Sequence, residues 1–400
     1  MQFFSNDRRR LGLYIHIPFC RSKCAYCDFN SAVPGSDAVM AEYVSALIAH
    51  MESYREAARS YEPDTVFIGG GTPTVLPPAE LVRLIRAIKK NFRLTKNAEF
   101  TVEANPATVT YPTLVRMHRL GVNRLSFGLQ SAHDNELKSL SRIHTRQEFV
   151  RSYRMARDAK FDNINVDLMF GIPNQTPESL AHTLRWVTSI GPEHISLYDL
   201  KIEPNTPFGQ HYDEIAPLLP DEDTEADMYV GSIEYLRSRG YDQYEISNFS
   251  KPGYRCAHNY KYWNCDEYLG FGVSAHSYFN GNRFSWTPNL RDYIEGVTVK
   301  ESKVRLTDEC EAVGERERMG EYVILRFRLT DGISERDFSR RFGLSFESLY
   351  GEKCRTFIQH GFMTAENGRW ALTPAGMFIS NYILTELLDF EDFGKYQFGG

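Results

Sequence analysis

Leu11-Gly-Leu-Tyr-Ile-His-Ile-Pro-Phe-Cys20-Arg-Ser-Lys-Cys24-Ala-Tyr-Cys27 reads as a strand that runs into a loop carrying three cysteines within eight positions. Spacings of four and three put three soft thiolates on one short turn, and such ligands suit an iron–sulfur cluster or zinc. Structural zinc takes four closed ligands, usually from two separate pairs. No second pair stands at standard spacing, and His16, on the strand, points poorly for the task. Three cysteines on a cubane leave one iron without a protein ligand, and the amino and carboxylate groups of S-adenosylmethionine (SAM) can occupy that open position.

Outward from this stretch, β-branched or aromatic runs alternate with helical patterns as far as about Glu203, the mark of parallel strands joined by crossover helices. Six strands are expected at Gly12–Ile17, Thr65–Ile68, Glu99–Val102, Arg124–Phe127, Ile164–Leu168 and His194–Tyr198. Helical spacing is clearest at Met40–Tyr54, Glu80–Asn91, Gln147–Asp158 and Pro177–Ser189. The fold class is therefore α/β, and six βα units suit a partial (β/α)6 barrel of the TIM-like kind. A doubly wound sheet is the alternative, since strand order is not legible in one sequence. The cysteines, Gly69-Gly70-Gly71-Thr72, Glu103, Gln130 and Asp167 all fall at or just past strand ends, where parallel folds bind ligands. Gly70, Gly71 and Thr72 would let backbone approach a ligand closely and leave amide donors free, although a glycine turn serves mere chain reversal as often.

The expected domains are an N-terminal extension (residues 1–10), the barrel core (11–222), a barrel extension rich in Tyr and Asn (223–310) and a smaller C-terminal winged-helix-like α+β domain (311–400). In the last, helical patterns at Arg318–Leu329 and Phe346–His360 precede a two-stranded wing around Glu366-Asn367-Gly368.

With 400 residues, 42% of them apolar and 13% aromatic, the chain can bury a sizeable core. A net charge of −6 gives no basic footprint for nucleic acid. No stretch has signal-peptide character and none approaches the roughly 18 apolar residues of a membrane span, so a cytoplasmic location is expected. Seven cysteines, an odd number, argue for thiolate ligands in a reducing compartment over a disulfide framework.

The ordered set Tyr14-Ile-His-Ile-Pro-Phe-Cys20, the C-x3-C-x2-C loop, Gly69-Gly-Gly-Thr-Pro73, Glu103-Ala-Asn-Pro106, Phe127-Gly-Leu-Gln130-Ser131, Asp167-Leu-Met-Phe-Gly-Ile-Pro173 and His258-Asn-Tyr-Lys-Tyr-Trp263 resembles the radical-SAM superfamily. It is most similar to the oxygen-independent coproporphyrinogen III oxidase-like branch, which includes heme chaperones, and the resemblance runs from about Leu11 to Leu388. It implies a four-iron four-sulfur cluster on Cys20, Cys24 and Cys27. It implies SAM contacts from Tyr14, Tyr26, Gly70, Gly71, Thr72 and Glu103, and, by likeness to the oxidases, contacts to a second SAM from Gln130, Arg142 and Asp167. Against these stand plainer roles: a surface glutamate, core tyrosines, an arginine in a structural ion pair. His258 matches the HNxxYW signature of the chaperone branch and would be an axial heme ligand, with Tyr262 and Trp263 stacking on the porphyrin; a histidine in such a loop more often only hydrogen-bonds. Cys256, Cys265, Cys310 and Cys354 lack metal spacing and read as incidental thiols.

The resemblance implies heme, the cluster and SAM as bound groups, and client hemoproteins such as respiratory-chain enzymes as partners; a peripheral membrane contact and a homodimer stay open. The expected function is heme delivery without coproporphyrinogen oxidase activity, and no residue is assigned a catalytic role. Two departures from the oxidases carry that choice: Phe29 stands where their loop has a fourth cysteine, and only ten residues precede the first strand where they have an N-terminal arm. An oxygen-independent coproporphyrinogen III oxidase, another radical-SAM enzyme and a zinc-stabilised binding module are the competing readings.

Overall fold

A computed structural model describes residues 9–299 and 302–388. The first eight residues of the expected N-terminal extension lie outside the described residues, while Arg9 and Arg10 belong to the first strand. Five βα units and a sixth strand follow one another: β1 (Arg9–Ile17), α1 (Asp37–Ser53), β2 (Tyr61–Gly70), α2 (Pro78–Asn91), β3 (Glu99–Ala104), α3 (Tyr111–Arg119), β4 (Arg124–Gln130), α4 (Asp134–Ser139), α5 (Arg146–Asp158), β5 (Ile164–Phe170), α6 (Pro177–Ile190) and β6 (His194–Asp199). Every expected strand is present. β1 and β2 are longer than their apolar runs because Arg9 and Arg10 pair in register with Tyr61 and Glu62, and β2 continues through Gly69 and Gly70 opposite His16 and Ile17.

Two compact units divide the chain. The first holds residues up to Glu193, Tyr198–Pro220 and Asp266–Ala312. Its sheet runs Thr307–Ala312, Asn282–Trp286, His276–Phe279, Tyr268–Phe271, β1, β2, β3, β4, β5. β1 to β5 are parallel and adjacent in chain order, with Tyr268–Phe271 parallel to β1 on its other side. A doubly wound sheet would reverse its order within the run of βα units; β1 to β5 follow one another without reversal, and the barrel reading holds. Register puts Val66, Ile68, Val102, Leu125, Phe127, Ile164, Val166 and Leu168 on one face of the sheet, all fully enclosed, while the other face buries polar Thr65, Thr101, Ser126 and Asn165. Helix starts are set by side-chain caps. Thr145 and Thr176 form capping boxes with Glu148 and Ser179, and Thr110 caps α3, a helix that the sequence pattern alone does not reveal.

The second unit holds His194–Leu197, Asp221–Cys265 and the described residues from Val313 onward. Strand β6 pairs antiparallel with Asn248–Ser250, which pairs with Asp242–Glu245. Helices Glu315–Arg326, Glu335–Phe342 and Phe346–Gln359 accompany a three-stranded sheet whose hairpin turns at Asn367 and Gly368, both with positive φ. Residues 223–265 thus cluster with the C-terminal segment and 266–312 with the barrel. No helix among the described residues is long and apolar enough to cross a membrane.

Candidate cofactor site

The site grows from the end of β1. Beyond Ile17 the chain makes a loop closed by Cys20 N–H donating to Ala32 O (3.0 Å) and Ala32 N–H donating to Pro18 O (2.9 Å). At its tip Ala25 is tied on both sides, its N–H to Leu140 O at 3.3 Å and its carbonyl to Phe208 N–H at 3.0 Å. Ala25 and Tyr26 pack with Leu140, Met169, Ile172, Leu200 and Phe208 in an apolar cluster that backs the loop. Beneath, His16 donates from Nε2 to Asn30 O (2.9 Å) and accepts from the Tyr14 hydroxyl at Nδ1 (3.0 Å). Burial lowers its pKa, which suits this neutral tautomer. Tyr14 itself stacks on Phe67 behind the site wall.

The glycine run fits this packing closely. Gly70, at φ +108°, lies so near His16 that an added Cβ would sit 2.5 Å from the imidazole, and a Cβ on Gly71 would meet Phe19 O at 2.7 Å and Cys20 Sγ at 3.0 Å. The expectation of free amide donors fails. Gly70 N–H donates to Glu103 Oε2 (3.1 Å), Gly71 N–H to Ile17 O (2.8 Å) and Thr72 N–H to Phe19 O (2.8 Å), because β2 keeps pairing beside the outgoing β1. What the turn offers a ligand is close backbone approach.

Sheet register aligns the polar residues. Glu103 sits beside Ser126, and Gly128 beside Asp167. Burial and the nearby Asp167 push the Glu103 carboxyl up to about 8, against the Gly70 N–H and Arg124, which pull it down. Asp167 accepts from Ser126 Oγ (3.0 Å) and Asn165 Nδ2 (2.7 Å). A bulge after Gly128 turns Gln130 to φ +74°. Arg142 bridges strand and loop, donating from Nη2 to Gly128 O (2.7 Å) and from Nη1 to Cys24 Sγ (3.4 Å).

Cys20, Cys24, Cys27, Tyr26, Gly70, Gly71, Thr72, Glu103, Gln130, Arg142 and Asp167 line one cavity of about 400 Å3. Tyr14 stands behind it. His258 belongs to the second unit, and the loop expected around it is the helix Ala257–Trp263. It is 1% exposed, and its Nε2 is hydrogen-bonded to the Tyr262 hydroxyl at 2.8 Å. Trp263 carries the Arg328 guanidinium 4.5 Å above its ring, and Arg328 faces the buried Glu245 at 3.7 Å. These three candidates are engaged within their own unit. Tyr198, Asp199, Lys201 and Glu203, unassigned from sequence, also line the cavity; the polar–apolar alternation of Asp199-Leu-Lys-Ile-Glu203 was the available signal. Burial raises Asp199 to about 6, with Lys201 pulling the other way.

The thiols fit a cubane better than a single ion. Among the described residues no three His, Cys, Asp or Glu side chains converge on one metal position, yet three thiols share the cavity, as ligands to separate corners of a cluster would. Arg142 and Thr72 (Oγ1 3.6 Å from Cys20 Sγ) provide polar contacts that suit thiolates.

The Radical SAM superfamily model matches residues 14–187, and the HemN C-terminal domain model residues 314–379. The chain is 36% identical to heme chaperone HemW of Bacillus subtilis (strain 168), over 94% of this chain and 98% of that one. It is also 36% identical to heme chaperone HemW of Escherichia coli (strain K12), over 94% and 97%. In structure it is similar to coproporphyrinogen III oxidase (HemN) from Escherichia coli, a radical SAM enzyme, with TM-score 0.83, 23% identity and coverage of 96% and 91%, a likeness of fold. With its cysteine loop, its glycine turn and likeness over nearly its whole length, the chain belongs to the HemW family of the radical SAM superfamily.

Proposed function

We propose that this protein is a heme chaperone that holds a four-iron four-sulfur cluster on Cys20, Cys24 and Cys27, places SAM against Gly70–Thr72 and Glu103, and passes heme to client hemoproteins such as respiratory enzymes. The observation that carries the reading is 36% identity over 94% of the chain to relatives named as heme chaperones. When bound, the cluster supplies an open iron for SAM's amino and carboxylate groups. The protein's share is local. Arg142 and Thr72 steady the cysteine sulfurs, the glycines let the ligand lie against backbone, and Glu103, half-buried on the cavity wall, is the acceptor for SAM's ammonium or ribose hydroxyls. Gln130, Arg142 and Asp167, which line the same cavity, are the candidates for contacts to a second SAM. Phe29, on the cavity wall, offers neither a metal ligand nor a transferable proton where the oxidases carry a thiol.

The test is anaerobic reconstitution, followed by heme titration through the Soret band and, on the same sample, incubation with SAM, reductant and coproporphyrinogen III. Saturable heme binding without decarboxylation is expected. Efficient decarboxylation without heme binding would assign the chain to the oxidases instead.

A further inference from the structure

We propose that heme docks across the mouth of the cysteine-loop cavity, its ring against Phe29 and Tyr198 and its propionates toward Lys23 and Lys201. This rests on the chaperone reading and says where its cargo sits.

Phe29 is 64% exposed and Tyr198 38% exposed, and both line this cavity. Two large aromatic side chains exposed at one opening mark a surface that a flat ring can cover. Phe29 belongs to the cysteine loop, two residues beyond Cys27, and its carbonyl accepts from Ser31 Oγ at 3.3 Å. Tyr198 is held at the end of β6.

The segment after β6 explains how the charges are presented. In extended chain, neighbouring side chains face opposite ways. Leu200 and Ile202 turn into the apolar cluster behind Ala25 and Tyr26, and so Asp199, Lys201 and Glu203 line the cavity. The charged row is thereby anchored by its own apolar face. Lys23 comes from the cysteine loop itself. Neither ammonium group forms a hydrogen bond or ion pair among the described residues. Two cations beside two exposed rings match a flat apolar macrocycle carrying two carboxylates. A cavity of about 400 Å3 is at the small end for ligand sites. With SAM inside, the macrocycle lies over the opening. Asp199 competes with a propionate for Lys201, and Asp28 and Glu203 also face the opening. The grip is consequently moderate, as suits a cargo that must leave. By contrast His258 is buried, with Nε2 occupied by Tyr262.

The experiment compares Soret titrations of reconstituted wild type, Phe29→Ala/Tyr198→Ala, Lys23→Gln/Lys201→Gln and His258→Ala, using heme and heme dimethyl ester. Iron content and the spectral response to SAM report whether each variant is folded. Tyr198→Leu and Lys201→Gln alone, both off the cysteine loop, carry the test if the double variants lose iron. The aromatic double variant is expected to weaken heme binding about tenfold, and the lysine double variant about fivefold. The ester should bind wild type about as weakly as heme binds the lysine variant, and His258→Ala should leave heme affinity unchanged. Undiminished affinity in folded mouth variants, or equal affinity of wild type for heme and its ester, overturns the proposal while leaving the chaperone reading intact. A wild type that binds no heme overturns both.

Discussion

Gly70 shows how little room a single residue has here. Its φ of +108° and the imidazole 2.5 Å from any added Cβ mean that Gly70→Ala must move His16, and with it the Asn30 contact under the cysteine loop. A loss of about 2–4 kcal/mol is expected from strain and overpacking, read as a lower denaturation midpoint together with reduced iron loading. Glu103 carries a second expectation. Its folded pKa of about 8 lies above the ordinary value of 4.5. The stability it contributes is fully present below about pH 4.5 and is lost as pH rises through 8. A ligand that needs the carboxylate gains in the opposite sense. SAM affinity should rise with pH, by up to about tenfold per unit, and level off above pH 8. Glu103→Gln should flatten that profile and remove the alkaline loss of stability. SAM titrations and melting curves between about pH 6 and 9 check both; a wild-type affinity that is flat with pH would contradict the role given to Glu103.

At the scale of elements, the segment Asp199–Glu203 is a brace for the cysteine loop as well as a wall of the cavity. Leu200→Ala removes apolar contact from the cluster behind Ala25 and Tyr26 and should cost about 2–3 kcal/mol. Because those two residues adjoin Cys24 and Cys27, cluster retention should fall with stability, measured as iron per protein after gel filtration. Full iron in a destabilised variant would show that the brace is dispensable. This segment also marks a limit of legibility. The six strands were readable because each is a β-branched or aromatic run bounded by turns, and their ends carry the cysteines, Gly69–Thr72, Glu103 and Asp167. The row after β6 was not, because the partner of its apolar face is a loop about 175 residues earlier, a distance that no local period reveals. The spent amides of Gly71 and Thr72 were hidden for a related reason: they pair with Ile17 and Phe19, a tertiary choice. His258-Asn-Tyr-Lys-Tyr-Trp263 has no apolar stripe to announce a helix.

For the molecule as a whole, local signals gave the barrel but not the second unit, which is assembled from His194–Leu197, Asp221–Cys265 and the segment from Val313. Its winged hairpin was readable from Asn367-Gly368, whereas its buried Glu245, held by Ser247 N–H at 3.0 Å and Asn248, was not. The three cysteines proposed to hold the cluster all lie in the barrel unit: serine in place of Cys20, Cys24 or Cys27 should abolish the cluster's visible absorption and its low-temperature magnetic resonance signal, and full iron in all three variants would refute the assignment. Heme handling is the more exacting claim, and it is tested most directly by loading the reconstituted protein with heme and following transfer to an apo-hemoprotein by the shift of the Soret band. Transfer that proceeds from the loaded protein, and slows when Phe29, Tyr198, Lys23 and Lys201 are replaced, is the expected result. No saturable loading and no transfer, in a sample that instead converts coproporphyrinogen III, would contradict it.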